Sequence, residues 1–233
     1  MTLLAIETAT RQLGVAAIDG ERLLASYEVL ADHPHAVELP GAVSRVLKDA
    51  GTTLEQVEAI VVDIGPGSFT GLRIGLAFVK ALAFPTNKPV VGIPSLDVLA
   101  ANVPFAEGWV SPVLDAKQQN IYTALFQVRD GRPVKQGEYL LGPVDAMLAQ
   151  VQQASVFLGD GCARYRDRIL ARVPRARIAA PELWLPRAAT LARLGRGRWL
   201  AGERDDPATL VPMYLYPLDC SVRGPDRPTS VLS

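Results

Sequence analysis

Apolar residues over the first part of the chain come in short runs divided by polar turns. Residues 3–6, 13–18 and 22–30 are strand-type runs, separated by the polar turn 7–12 and by Asp19-Gly20, which predicts a meander of three antiparallel strands. The period then changes. Ala36, Leu39, Val43, Val46, Leu47 and Ala50 recur at helical spacing and Gly51 ends the helix, while Pro40 and Gly41 place its first turn near Leu39 or put a kink there. Residues 59–63 form an apolar strand-type run, Gly65-Pro66-Gly67-Ser68 breaks it, and good helix formers follow from Leu72. Residues 89–93 predict a buried strand, and Ser95 a cap for a short helix through Ala101.

The second half opens as the first does. Strand 109–114, carboxylate Asp115, polar turn 116–119, strand 120–128, turn Asp130-Gly131 and strand 133–140 repeat the order seen from residue 3, with Glu7 and Asp115 at the same point of the unit. Helices are predicted over 143–151, 162–171 and 188–199, with a strand at 156–158. The pattern gives an α/β protein of two RNase H-like lobes, mixed sheets with flanking helices. The lobes are expected at 1–103 and 104–222, residues 210–216 folding back on one of them and 223–233 forming a disordered tail.

Composition refines this picture at three points. At 233 residues the chain is long enough for two compact lobes. Charge balances overall, but residues 1–100 hold 7 Lys+Arg against 11 Asp+Glu, which leaves the second part mildly basic. Cys162 and Cys220 have no metal-ligand spacing, and no leader or uninterrupted run of eighteen apolar residues occurs, so a cytoplasmic protein in a reducing compartment, without membrane contact, is expected.

The strongest local character lies in residues 59–84. Glycines at 65, 67 and 71 permit close backbone approach, and Ser68 or Thr70 can accept from the first helical turn, as in loops that cradle anions. Neither the Walker spacing nor the dinucleotide fingerprint is met, so two readings stand: an anion loop, or a tight seat for a helix on a sheet. Residues 72–84 are apolar nearly all round, interrupted by Arg73, Gly75 and Lys80. Such a helix is either sandwiched or covered by another protein, and the second fits a chain this short. Glu7 and Asp115, at strand ends, can hold Mg²⁺ beside phosphates or cap their own turns. His33 and His35 flank Pro34 and cannot align as helical metal ligands; no metal site is expected.

Gly65-Pro66-Gly67-Ser68-Phe69-Thr70-Gly71-Leu72-Arg73-Ile74-Gly75 resembles the signature of the TsaB (YeaZ) family, the dimerisation subunit of the bacterial machinery for tRNA threonylcarbamoyladenosine (t6A). Ile6-Glu7-Thr8-Ala9-Thr10, His35, Asp115-Ala116-Lys117 with Tyr122, and Pro212 to Leu215 are similar to further family stretches; Glu7 for Asp, Pro34-His35-Ala36 for His-Ser and Tyr216 for Arg depart from it. The resemblance implies an actin-like, non-catalytic paralogue of the catalytic subunit TsaD, with ATP and a metal held only by partner subunits. It implies a bundle with TsaD through Leu39, Val43, Val46, Leu47, Leu72, Leu76, Val79, Lys80 and Ala83, an ATPase partner TsaE, and tRNA reached through the complex. Glu7, Thr8, Thr10, Asp115 and Lys117 would be a vestigial nucleotide cleft.

Three functions compete at this point: a pairing subunit, able to homodimerise when alone; an ATP-dependent small-molecule kinase of the same fold, motivated by Glu7, Asp115 and the glycines; and a peptidase at His33 and His35, which would need a metal.

Overall fold

The computed structural model describes residues 1–30 and 35–216. The tail 223–233, His33 and Cys220 lie outside the described residues. Among the described residues, ten strands form two five-stranded sheets. In the first, β1 (Thr2–Glu7), β2 (Gln12–Asp19) and β3 (Arg22–Leu30) form the antiparallel meander, and β4 (Ala59–Gly65) and β5 (Val90–Pro94) add in parallel, giving the order β3-β2-β1-β4-β5. In the second, β6 (Gly108–Asp115), β7 (Asn120–Arg129), β8 (Arg132–Pro143), β9 (Val156–Leu158) and β10 (Arg177–Ile178) repeat the plan as β8-β7-β6-β9-β10. An antiparallel meander followed by parallel strands, twice over, makes the protein an α/β pair of RNase H-like lobes of the actin-like type.

Helices cover both faces of the first sheet, which is why β1 reads as an unbroken apolar run instead of alternating. Leu4 and Ile6 pack with Val15, Ile60 and Val62 under α1 (His35–Asp49) and α2 (Phe69–Thr86). Leu3 and Ala5 turn the other way, with Val61 and Val91, onto Val98 of α3 (Ser95–Ala101) and Leu191 and Ala192 of α6 (Ala188–Leu200). Thus α6, drawn from the second half of the chain, returns to the first sheet, and a Cβ on its Gly195 would meet the Val61 side chain at 2.4 Å. In the second lobe α4 (Val144–Gln150) and α5 (Gly161–Arg172) pack on Val113, Ile121 and Phe157, while Leu96 and Leu99 of α3 cover the opposite face at Val110, Leu114 and Phe126.

Two local expectations change. Helix α1 starts at His35 and runs through Pro40; both Pro40 and Ala36, whose carbonyl loses its usual donor, are exposed, so water can satisfy it. Ser95 caps nothing: its hydroxyl donates to Asp63 at 2.5 Å, and Pro94 holds the cap position of α3. Helix α2 is long and apolar enough by length and composition to cross a membrane, but its inward face is packed on the sheet.

Candidate functional site

A cleft of about 1030 Å³ separates the lobes, walled by the β1–β2 turn, the loop leading into α2, the β6–β7 turn and residues 213–216. Each wall follows from local sequence. Ser68 stands at the N-cap of α2, where its hydroxyl accepts from Gly71 N at 3.2 Å. Its own N–H donates to Ala9 O at 2.6 Å, which clamps the loop on the β1–β2 turn.

The glycines of the signature explain how α2 lies so close. A Cβ on Gly71 would stand 2.1 Å from Thr8 O, one on Gly75 2.1 Å from Thr8 Oγ1, and one on Gly67 2.2 Å from Ala9 O. Gly71 and Gly75, spaced by four, share one side of α2 and seat it on the strand end, while Gly67 lets the loop before the N-cap approach the β1–β2 turn. Gly65 adopts a φ of 101°, and its N–H donates to Asp63 Oδ1 at 2.7 Å. The seat reading therefore accounts for Gly67, Gly71 and Gly75, with Pro66 joined to Gly65 by a cis bond. Phe69, Thr70 and Arg73 remain exposed on the cleft side, the Arg73 guanidinium lying over the Phe69 ring at 4.0 Å.

Glu7 does not reach the cleft. It is fully buried, its Oε1 accepts from Ala9 N at 2.7 Å, and its Oε2 has no hydrogen-bond partner among the described residues; the carboxyl of Asp63, buried too, is its neighbour. Burial, then the nearby Asp63 charge, pushes the Glu7 carboxyl well above the usual carboxylate range; burial also raises Asp63. Thr8 is likewise buried beneath Gly71 and Gly75. Thr10 does line the cleft, and its carbonyl is engaged by the His35 ring at 2.9 Å. No cluster of His, Cys, Asp or Glu with metal-holding geometry occurs among the described residues.

Asp115 and Lys117, by contrast, stand in the cleft wall. Asp115 Oδ1 accepts from Lys117 N at 3.0 Å, and Oδ2 is within 3.4 Å of both Lys117 Nζ and Arg164. Lys117, Gln118 and Gln119 all take left-handed conformations, φ 66°, 49° and 62°, which cost about 1–2 kcal/mol per residue. The closing segment offsets part of that strain: the Tyr216 hydroxyl donates to Ala116 O at 2.9 Å and accepts from Asn120 Nδ2 at 3.2 Å. The same segment holds the first lobe, since Met213 N donates to Ile64 O at 2.7 Å and Arg73 Nε donates to the Tyr214 hydroxyl at 3.1 Å. Residues 213–216 thus strap both lobes across the cleft, where the sequence pattern suggested contact with one.

The side chains expected at a partner interface need correction. Leu39, Val43, Val46, Leu72, Leu76, Val79 and Ala83 are at most 6% exposed and belong to this chain's own core; Leu47 packs against that core, and Lys80 is half-buried with its ammonium toward Ala208 O. A helix on a sheet uses its most regular apolar stripe for the sheet, so that stripe is the one least available to a partner. The outward stripes are different: Val37, Gly41 and Ser44 on α1, and Ala77, Ala81 and Phe84 on α2, all exposed, with Ile74 and Phe78 half-buried beside them. Val37 is 70% and Phe84 57% exposed.

Comparison with known proteins agrees with this architecture. A family model described as TsaD, tRNA N6-adenosine threonylcarbamoyltransferase, matches residues 29–167. The tRNA threonylcarbamoyladenosine biosynthesis protein TsaB of Bacillus subtilis is 32% identical over 219 residues, covering 92% of this chain and 94% of that protein. The TsaB protein of Escherichia coli is 29% identical over 222 residues, 90% and 94% of the two chains. The solved structure of YeaZ from Pseudomonas aeruginosa superposes with a TM-score of 0.80 at 29% identity, covering 92% of this chain and 99% of that one. With a TsaD-type domain over most of its length and a full-length match to these relatives, the chain belongs to the TsaB family.

Proposed function

We propose that this chain takes part in t6A biosynthesis as a non-catalytic pairing subunit, joining a TsaD-type catalytic paralogue and a TsaE-type ATPase in the cytoplasm and meeting tRNA through that complex. The observation that carries the reading is the outer surface of α1 and α2. After the inward stripes have filled the core, Val37, Ala77, Ala81 and Phe84 still face solvent, with Gly41 and Ser44 small enough to let another helix pair approach. A paralogue of the same fold presents an equivalent helix pair, and two such pairs make a four-helix contact; a second copy of this chain is the substitute when the paralogue is missing.

The kinase alternative has less support. The β1–β2 turn that would cradle phosphates is clamped through Ala9 O and Thr10 O, and Glu7 is sealed beneath it. ATP and any metal belong, on this reading, to the partners.

Ala77→Glu with Ala81→Glu tests the pairing. The expected outcome is a folded chain with an unchanged thermal transition that no longer co-purifies with the catalytic paralogue. Leu76→Glu, by contrast, puts a charge in the core and unfolds the chain. Retained co-purification by the double variant would overturn the assigned face.

A further inference from the structure

The basic character of the second half is concentrated. Residues 161–200 contain ten arginines and two carboxylates, Asp167 and Glu182. Two of the three on α6 are used internally: Arg196 pairs with Glu21 at 3.3 Å, and Arg198 with Glu203 and Asp205 at 2.7 and 3.2 Å. Arg175 and Arg177 are exposed and have no carboxylate partner among the described residues. They stand at the outer edge of the second sheet, in and just before β10.

Both line a groove of about 1020 Å³ whose apolar members include Val103, Ile178 and Leu183, with Phe105 beside them. Phe105 is 75% exposed. A bare aromatic ring next to two unpaired guanidinium groups is the combination that single-stranded nucleic acid uses: bases stack on the ring while phosphates meet the cations. Glu107 is the one carboxylate among the described lining residues. An added peptide strand is a poorer occupant, because β10 is two residues long and offers few backbone groups for pairing. No residue of α1 or α2 lines the groove, so it stays open when that helix pair is covered.

We propose that this groove binds an unpaired stretch of RNA, Phe105 stacking on a base and Arg175 and Arg177 holding adjacent phosphates. The inference rests on the reading of the chain as part of a tRNA-modifying machinery and adds a direct RNA contact on this subunit.

The test is fluorescence anisotropy of the full chain with a labelled oligouridylate and with an unmodified tRNA transcript, across a salt series. Arg175→Gln with Arg177→Gln is expected to lower affinity and to flatten the log–log salt dependence by about 1.4, the share of two phosphates on a single strand. Arg175→Lys with Arg177→Lys keeps the slope. Phe105→Ala weakens binding roughly five- to a hundredfold with the slope unchanged. Wild-type chain that fails to bind either RNA, variants that bind like wild type, or tighter binding of a polyglutamate peptide than of RNA would each overturn the proposal. Cellular t6A separates this from the function itself: if cells lacking the chain keep normal t6A, the functional reading fails. If t6A falls and a Phe105→Ala, Arg175→Gln, Arg177→Gln triple variant restores it fully, the groove alone fails.

Discussion

Glu7 and Asp63 are two fully buried carboxyl groups side by side at the ends of adjacent parallel strands, each with one oxygen, Glu7 Oε2 and Asp63 Oδ2, that no other group engages among the described residues. Two buried carboxylates side by side cannot both be charged, so one proton is held between them. Around the pair, Ala9 N donates to Glu7 while Gly65 N and the Ser95 hydroxyl donate to Asp63. The acid pair therefore ties the β1–β2 turn, the signature loop and the start of α3 into one unit.

Stability should fall as pH rises. Both pKa values are raised on folding, so the contribution is complete below the unfolded carboxylate values and is lost as pH climbs through the folded ones. Asp97, buried against the Tyr139 hydroxyl and pushed up to about 6, adds loss of the same sign from below that pH. Urea unfolding from pH 5 to 8 is expected to show a decline of up to about 1.4 kcal/mol per pH unit for one proton. Glu7→Gln, which keeps a donor toward Asp63, should flatten the part due to the pair. A profile identical to wild type would refute the shared proton.

Gly75 and Thr8 offer a test of why α2 sits where it does. Replacing a mid-helix glycine with alanine ordinarily gains about 1 kcal/mol. Here the new Cβ would stand 2.1 Å from Thr8 Oγ1, and overpacking of that kind costs about 1–3 kcal/mol, so Gly75→Ala is expected to destabilise. Thr8 Oγ1 is buried without a partner, so Thr8→Ala removes the clash at small cost. Chemical denaturation of both single variants and the double should give a favourable coupling of about 1 kcal/mol or more. Additive effects would mean that the contact is not what fixes the helix.

The strands, the two meanders and the doubled plan were legible because turns such as Asp19-Gly20 and Asp130-Gly131 punctuate apolar runs and the unit recurs. What was not legible depended on which side of an element faces what. Leu72, Leu76 and Val79 are as apolar as a partner surface requires, but nothing in the string says that a sheet has already claimed them and that Ala77, Ala81 and Phe84 are what is left. The burial of Glu7 was hidden for the same reason, since a carboxylate after a strand usually means solvent and what lies around this one is distant in sequence: Asp63, which Ser95 of α3 engages, and Gly14, against which Ala188 of α6 packs. The return of α6 to the first sheet is long-range; its one sequence trace is Gly195, where the helix touches Val61. A two-residue strand such as β10 is too short for any period to appear.

Direct nucleotide binding is expected to be absent. A phosphate approaching the β1–β2 turn would have to displace the Ser68 N–H from Ala9 O and the His35 ring from Thr10 O, and would find Glu7 sealed from any Mg²⁺ it carried. Titration calorimetry of the isolated chain with MgATP should give no saturable heat for a Kd tighter than about 1 mM. Saturable binding at that strength would restore the kinase reading.

Tyr216 decides how firmly the lobes are held. Its hydroxyl is shared by Ala116 O and Asn120 Nδ2 on either side of the left-handed residues Lys117, Gln118 and Gln119, and its ring stands edge-on to Tyr122 at 6.1 Å. Tyr216→Phe keeps the ring contact and removes both hydrogen bonds, at an expected loss of about 1–2 kcal/mol. The strain stored in 117–119 then has one restraint fewer, so amide exchange over 116–120 should quicken by more than that over the distant strands β2 and β3. Tyr214→Phe, which releases only the Arg73 side of the strap, should leave 116–120 unchanged. Equal acceleration everywhere would show a general loss of stability in place of a local strap, because a restraint confined to one end of the cleft can loosen only the turn it touches.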